Sequence, residues 1–466
     1  MAPQGPASTC DVIVIGGGLA GKAASLHLAK AGLSVICIEP DDAARQAVGE
    51  SLDWSAPDLL KALGLPMEQL VSERIATWKR HVTLQLRNGC SEQYIPSAWL
   101  AHAPFHVELR TLHVDRQRLD EKLLSRATAQ GVTVVRDKVV AVEREGNKIL
   151  SAKTAGGSTF AAKWFIDSSG FAAPVLTREF RLCSIEFGPP KVALWTYFSV
   201  GQAVEGTTLY MDPAPSEYLD WVWEIPINPD TVSVGYVTTG AAIKVKRERG
   251  LSVDEIFQEQ LKKHPHFEPM LTAGPTGALN VTSFRCRVHA EAAGPNWIIA
   301  GEAASMVDPI TANGVTAALR HAAEATTLVL KFRKRGEIPA LSRALYSSRI
   351  LQFAKFFNSG IERIVYEPGV RNRIGLRVAG TVYTSPAWTM NLVYNRLRPR
   401  GIVSTFLFNS AIGIFRCGAW AFYQLCRRFK DSSSRAGSDG TMGAGHDVHC
   451  GSYPAGVKWK GQSYGE

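Results

Sequence analysis

Residues 11–40 read DVIVIGGGLAGKAASLHLAKAGLSVICIEP. Val12–Ile15 is a short apolar run that predicts a buried strand. Gly16, Gly18 and Gly21 follow at G-x-G-x-x-G spacing. Helix formers run from Ala23 to Ala31, Gly32 closes that helix, and Ser34–Ile38 predicts a second buried strand with Glu39 at its end. A glycine triplet alone says little. Between strand and helix, with an acid about 20 residues on, it points to a βαβ dinucleotide site. Gly16 permits the tight turn, Gly18 lets backbone approach a pyrophosphate, and Gly21 lets helix and strand pack closely. The pyrophosphate would rest on the positive helix N-terminus, beside Leu19 and Ala20. Glu39 would accept hydrogen bonds from an adenosine ribose. A glycine-rich turn with no ligand is the plain alternative.

The chain has 466 residues, 45% hydrophobic and 20% charged, which suits a globular protein with a large core. Its net charge of +10 comes largely from KFRKRG, RNRIGLR, NRLRPR and CRRF after residue 330. Such clusters suit anionic lipid, an acidic partner or simply solvent. Aromatics do not interleave with the bases, which argues against nucleic acid. Eight cysteines are scattered without a C-x-x-C pair, which argues against a metal site and for reduced thiols in the cytoplasm. Residues 1–10 lack the pattern of a signal peptide and read as a flexible leader.

Beyond the βαβ unit, Asp41–Gly49 reads as a loop, and Gly49-Glu50-Ser51-Leu52 opens a helix that Gly64 ends. Val82–Leu86 alternates like a strand and Arg87-Asn88-Gly89 is a turn. Leu119–Ala127 predicts a helix; Val132–Val135, Val139–Val142 and Trp164–Asp167 predict strands. From Val192 to Thr238, the runs VALWTYFSV, TTLYM, LDWVWEIP and TVSVGYVTT are spaced strands that predict an antiparallel, substrate-side sheet. Ser252–Lys263 is a helix with a capping box at Ser252 and Glu255. Trp297–Ala300 is a strand that leads through a loop into a long helix. The fold class is therefore α/β: a Rossmann-type nucleotide-binding domain over 11–180 and 280–335, an inserted antiparallel sheet over 181–279 and a helical C-terminal region over 336–430. Residues 431–466 are Gly/Ser-rich and predict a disordered tail. The apolar stretch 402–429 is interrupted by Arg416. It reads as a buried or groove-packed helix pair, with peripheral membrane contact as the alternative and a membrane span last.

These motifs together resemble the FAD-dependent monooxygenases of the aromatic-hydroxylase (group A) architecture, and among them the flavin-dependent halogenases. The βαβ fingerprint, Asp167-x-x-Gly170 and the segment Gly301, Glu302, Asp308, Pro309, Asn313, Gly314 carry the first resemblance. It implies FAD as cofactor, with an acid (here Glu302, where the family has Asp) on its ribityl chain. A helix N-terminus would face the flavin ring, where backbone N–H groups stabilise negative charge. Arg116 matches a family position at the cofactor. Gly49-Glu50-Ser51 is similar to the family's G-E-(S/A) motif and places Ser51 with the cofactor residues and Glu50 with the catalytic ones.

Two features point to halogenases within that group. Trp221-Val222-Trp223-Glu224-Ile225-Pro226 fits W-x-W-x-I-P, which in the family lies between flavin and substrate. Lys79 follows Leu63-Gly64-Leu65-Pro66 as the family's catalytic lysine follows its equivalent. The resemblance implies O2 chemistry through a flavin C4a-hydroperoxide, with hypohalous acid relayed by Lys79 to an aromatic or hydrophobic substrate, free or carrier-bound. Core packing for the tryptophans and an ordinary surface position for Lys79 are the alternatives. Where tryptophan halogenases carry an acid and a serine before the flavin-facing glycine, this chain has Thr311-Ala312-Asn313, which points away from tryptophan as substrate. Two other functions remain open: a monooxygenase that hydroxylates an aromatic or peptide-borne substrate, and an FAD-binding maturation or interaction factor. Electrons would come from NAD(P)H or from a separate flavin reductase.

Overall fold

The computed structural model describes residues 8–40, 48–86, 91–95, 110–172, 174–212 and 217–368, with isolated positions from 403 to 421. The expected turn at 87–89, most of the loop at 41–49, the tail 431–466 and most of the stretch 402–429 lie outside the described residues.

The strand Ser8–Ile15 stands at the centre of a seven-stranded sheet. It pairs in parallel with Val35–Glu39 on one side and Thr159–Asp167 on the other. Thr133–Arg136 extends the sheet in parallel beyond Val35–Glu39, and Trp297–Ile299 pairs in parallel with the end of Thr159–Asp167. Lys148–Thr154 and Val139–Glu145 complete it as an antiparallel hairpin. Val12–Ile15 is wholly buried, so its unbroken apolar run follows from having helices or other elements on both faces. Helix Leu19–Lys30 packs against the later helix Gly314–Phe332. Ser8–Cys10, expected in the leader, already belong to the first strand.

The second sheet has eight strands in the order Ser305–Met306, Asn280–His289, Ser184–Ser199, Thr231–Thr239, Asp220–Asn228, Thr207–Asp212, Val82–Leu86, Ser91–Tyr94. Its pairs are antiparallel except for Thr207–Asp212 with Val82–Leu86. Four of its strands, Val82–Leu86, Ser91–Tyr94, Asn280–His289 and Ser305–Met306, come from outside the span 181–279. A small two-stranded sheet pairs Ala76–Lys79 with Thr111–Val114.

Two local expectations change. The helix expected to open at Gly49 starts at Ala56. Glu50 and Ser51 are instead extended, because Ser51 bridges to His113 and the Glu50 carbonyl accepts from Val114 N–H. The basic segment Gly240–Glu248 forms a helix, capped by Thr239, that periodicity did not reveal because none of its residues is buried. The capping box at Ser252 and Glu255 forms as expected. After residue 335 the chain is helical over Ala340–Ile361 and runs into a π-helical turn, Glu362–Tyr366. That segment is no appendage: Tyr346 donates from its hydroxyl to the Ile299 carbonyl at 3.0 Å, and Tyr346 and Tyr366 are fully buried.

Candidate active site

The parallel strands end on one side of the first sheet, and their loops form one wall of a cleft. Open α/β sheets bind ligands at this edge. The cleft has a volume of about 1140 Å³ and continues from Gly16–Ala20, Glu39 and Glu302 to Lys79, Trp54 and the tryptophans of the second sheet.

The glycines divide the work at the first turn. Gly16 has φ +89°, and a Cβ on Gly21 would lie 1.9 Å from the Gly16 carbonyl oxygen. Ser168 holds that turn by donating to the Gly16 carbonyl at 2.7 Å. A Cβ on Gly18 would meet nothing within 4 Å, so this residue leaves room for a ligand. Gly18 is also the N-cap of helix Leu19–Lys30, whose first turn holds no acid. Glu39 lines the same wall and pairs with Arg136 at 3.3 Å. An uncovered helix N-terminus, an open glycine and a carboxylate beside them fit the pyrophosphate and ribose of FAD.

Gly301 has φ +64°, and a Cβ there would approach the Ala20 Cβ to 2.8 Å, so it is a packing residue between helix and loop. Glu302 is exposed on the cleft wall. Pro309 and Gly314 line the cleft, and Gly314 begins the long helix with Asn313 as its N-cap. Ala312, just before, adopts a left-handed backbone with φ +55°. Arg116 donates to the Val48 carbonyl at 2.7 Å and fills the space a Cβ on Gly49 would need. It thereby anchors the segment that delivers Glu50 and Ser51. Asp167 is buried and accepts from the backbone N–H of Ser169 and Leu176, shaping the turn to Gly170.

Two residues expected at the cofactor turn their side chains elsewhere. Asp308 accepts from Lys191 Nζ at 2.9 Å, from the Tyr366 hydroxyl at 3.0 Å and from its own helical turn at Ile310 N–H. Lys191 also reaches Glu362 at 3.1 Å, and Glu362 accepts from the Tyr218 hydroxyl. Burial works against the Lys191 charge, but Asp308, Cys286 and Glu362 outweigh it and hold the ammonium above its ordinary value. Ser51 spends its hydroxyl on Lys79 and Thr207.

Lys79 is only 2% exposed. Its Nζ donates to Ser51 Oγ at 2.8 Å and to the Leu52 carbonyl at 3.0 Å, and lies 4.4 Å from the centre of the Trp54 ring. Burial pulls its pKa down to about 7, against the opposing charge of Asp53. Glu50 lines the same cleft, 2% exposed. Burial pushes it up to about 7, against hydrogen bonds from Ser233 and Tyr197 and the charge of Arg116. Two groups of opposite type thus titrate near neutrality in one cleft, the arrangement acid–base chemistry needs.

Trp221 and Trp223 both line the cleft, with ring centres 5.8 Å apart. Trp221 Nε1 donates to the Tyr366 hydroxyl at 2.9 Å and Trp223 Nε1 to Ser233 Oγ at 3.1 Å. Gly235 makes room for Trp223, since a Cβ there would sit 2.1 Å from its ring. Lys191, Glu362, Tyr366, Thr207 and His113 escaped the sequence reading. Lys191 did leave a trace, as a lone cation at the head of the apolar run 192–200. Tyr366 left none. Among the described residues no group of His, Cys, Asp and Glu could hold a metal, and no helix is long and apolar enough to cross a membrane.

The model of the tryptophan halogenase family matches residues 101–354, and that of the FAD dependent oxidoreductases matches residues 11–176. The chain is 28% identical to a tryptophan 2-halogenase of Chondromyces crocatus, over 75% of this chain and 66% of the relative, just under two thirds of that protein's length. It is 27% identical to a 1H-pyrrole-2-carbonyl-[peptidyl-carrier protein] chlorinase of Pseudomonas fluorescens, over 73% of this chain and 80% of that protein. Its fold superposes on a triple mutant of the flavin-dependent brominase Bmp2 with a TM-score of 0.69 at 21% identity, covering 87% of this chain and 99% of that one. With more than half its length matched by the family model, and a cleft built for the cofactor, this chain belongs to the tryptophan halogenase family of FAD-dependent oxidoreductases.

Proposed function

We propose that this protein halogenates an electron-rich aromatic or hydrophobic substrate, with Lys79 as the residue that takes up the oxidised halogen. The observation that carries the reading is a buried lysine with a depressed pKa, in the same cleft as the dinucleotide loops. Bound in its reduced form, FAD supplies the O2-derived oxidising equivalents that turn halide into hypohalous acid.

Lys79 then acts in one of its two protonation states. As an ammonium it donates a hydrogen bond to the hypohalous oxygen. As an amine it attacks the halogen: the N–X bond forms, the O–X bond breaks, and the amine's proton leaves with hydroxide as water. A pKa of about 7 keeps both states populated at neutral pH. The halogen next passes to a ring carbon. Either the N–X bond breaks and the nitrogen takes a proton from solvent to restore the amine, or the O–X bond breaks and the leaving hydroxide takes the ammonium's proton as water; in both cases the ring loses a proton. We assign that proton to Glu50, whose Oε1 has no hydrogen-bond partner among the described residues. Trp221 and Trp223 hold the substrate against Lys79 and away from the cofactor, and Trp54, Trp195 and Phe284 complete an aromatic wall that excludes water. The relative that acts on a pyrrole-2-carbonyl peptidyl carrier protein supports a carrier-bound substrate here. A flavin reductase or NAD(P)H supplies the electrons.

The test needs no known substrate. The FAD-loaded protein is reduced anaerobically, mixed with O2 and bromide, and freed of small molecules by rapid desalting. The protein fraction is then assayed for iodide oxidation. Wild type should retain oxidising equivalents that need bromide, and Lys79→Ala should retain none. Retention by Lys79→Ala, or indifference to bromide, would return the chain to the hydroxylating reading.

A further inference from the structure

Lys79 sits at one end of an unbroken line of side chains. Its Nζ lies 2.8 Å from Ser51 Oγ, which lies 3.0 Å from Thr207 Oγ1, which lies 2.8 Å from His113 Nε2. On the far side of the ring, His113 Nδ1 is 3.4 Å from Thr77 Oγ1, and the Thr77 hydroxyl bonds the carbonyl of Pro226. The line starts at the last residue of the W-x-W-x-I-P stretch and ends at the reactive amine. Ser51, Thr207 and His113 are buried, and the bond between Ser51 and Thr207 joins residues 156 apart in sequence.

The direction of every bond follows from the first. A carbonyl only accepts, so Thr77 gives its single hydroxyl proton to Pro226. Thr77 Oγ1 is then an acceptor for His113, which places the ring proton on Nδ1 and leaves Nε2 bare. Nε2 takes the Thr207 proton, Thr207 takes that of Ser51, and Ser51 can only accept from Lys79. The Leu52 carbonyl, at 3.0 Å, is a second obligatory acceptor for the same nitrogen. A neutral amine has two N–H bonds and one lone pair. Ser51 and Leu52 occupy both N–H bonds.

We infer that Thr77, His113, Thr207 and Ser51 form a one-way hydrogen-bond chain whose role is to position Lys79 with its lone pair facing the cleft. These four are positioning residues, and their role deepens the halogenation reading by explaining how a buried amine is kept nucleophilic. If the chain were broken at Thr207, the Ser51 hydroxyl would turn its proton onto the Lys79 lone pair and mask it. The titratable groups around the chain act in both directions: burial favours neutral Lys79 and His113, and Asp53 opposes it at Lys79. Burial, with the charges of Lys79 and His81, keeps the His113 imidazole uncharged. His81 itself faces Glu205 and Arg80, and Asp53 is the carboxylate that acts on Lys79.

The experiment measures the lone pair directly and without turnover. The FAD-loaded protein is treated with trace acetic anhydride, which acylates neutral amines and releases acetate. Lys79 modification is followed by peptide mass spectrometry across pH. In wild type the rate should rise with pH to a plateau. Thr207→Val keeps the shape but loses the hydroxyl, and should lower that plateau about tenfold, the worth of one hydrogen bond to the lone pair. Thr207→Ser should restore it, while FAD retention and melting temperature stay level across the series. Thr77→Val, which frees the His113 tautomer, should lower the plateau in the same direction and serves if Thr207→Val does not fold. An unchanged plateau in both valine variants, or no Lys79 reaction in wild type, overturns the inference. The halogenation reading fails separately, if Lys79→Ala still retains a bromide-dependent oxidant.

Discussion

At the scale of the residue, this protein concentrates its risk in two buried ionisable groups. At Lys79 and Glu50 burial outweighs the opposite charges of Asp53 and Arg116, so each titrates near 7. The consequence for stability has a sign. Lys79 is lowered from 10.5 to about 7, so between those values the unfolded chain binds more protons than the folded one, and stability rises with pH. Below about 7 the buried ammonium weighs against folding in full. Glu50, raised from 4.5 to about 7, acts in the lower window, where its contribution to stability falls as pH rises. Lys79→Met should therefore raise the melting temperature most near pH 6, and the gain should shrink toward pH 10. A gain of equal size at both ends would mean that Lys79 does not titrate in the folded protein.

At the scale of the element, the strand-turn-helix unit at Ser8–Lys30 separates folding from binding one glycine at a time. Gly21 has no space for a methyl group, because the Gly16 carbonyl and Ser168 Oγ stand within 2.6 Å of where it would be. Gly18 has nothing against it. Gly21→Ala should thus lower the melting temperature and lose FAD together. Gly18→Ala should melt close to wild type while losing FAD on gel filtration, since only the absent pyrophosphate would meet the new methyl group. Equal FAD retention in Gly18→Ala and wild type would take the pyrophosphate away from this turn. The same element was the most legible part of the sequence. Its strand is a continuous apolar run, its turn residues are glycine for steric reasons, and every cue lies within 30 residues. The segment Gly49–Ser51 was misread as a helix start because its true partner, the strand Thr111–Val114, lies some way down the chain.

At the scale of the molecule, the C-terminal helix belongs to the site. Lys191 on the long strand Ser184–Ser199, Asp308 on the loop before helix Gly314–Phe332, and Glu362 and Tyr366 after helix Ala340–Ile361 meet in one buried cluster. Through Tyr366 the cluster also holds Trp221. Removing one member of a buried ionic group strands the rest, at a cost of roughly 3–5 kcal/mol. A chain ended at residue 335 would take Glu362 and Tyr366 away from the Lys191–Asp308 pair and remove the part of the core built by Tyr346, Phe353 and Phe357. Such a chain should neither melt cooperatively nor retain FAD. A truncated protein that binds FAD as tightly as the full chain would favour a separable C-terminal interaction region, the arrangement a maturation factor would need.

The sequence by itself determined the βαβ unit with its glycine turn, the antiparallel run from Val192 to Thr238 and the tryptophan pair on it. These are set by periodicity, turn chemistry and short spacings, all of which a linear chain displays. Only the tertiary structure decided that Lys79 is desolvated, that Ser51 serves Lys79 through its side chain, and that Asp308 is held by Lys191 and Tyr366. A residue's pKa and the partner of its hydroxyl depend on which distant segments exclude water around it. Ser51 and Thr207, 156 residues apart, become neighbours only when the first loop folds against the second sheet.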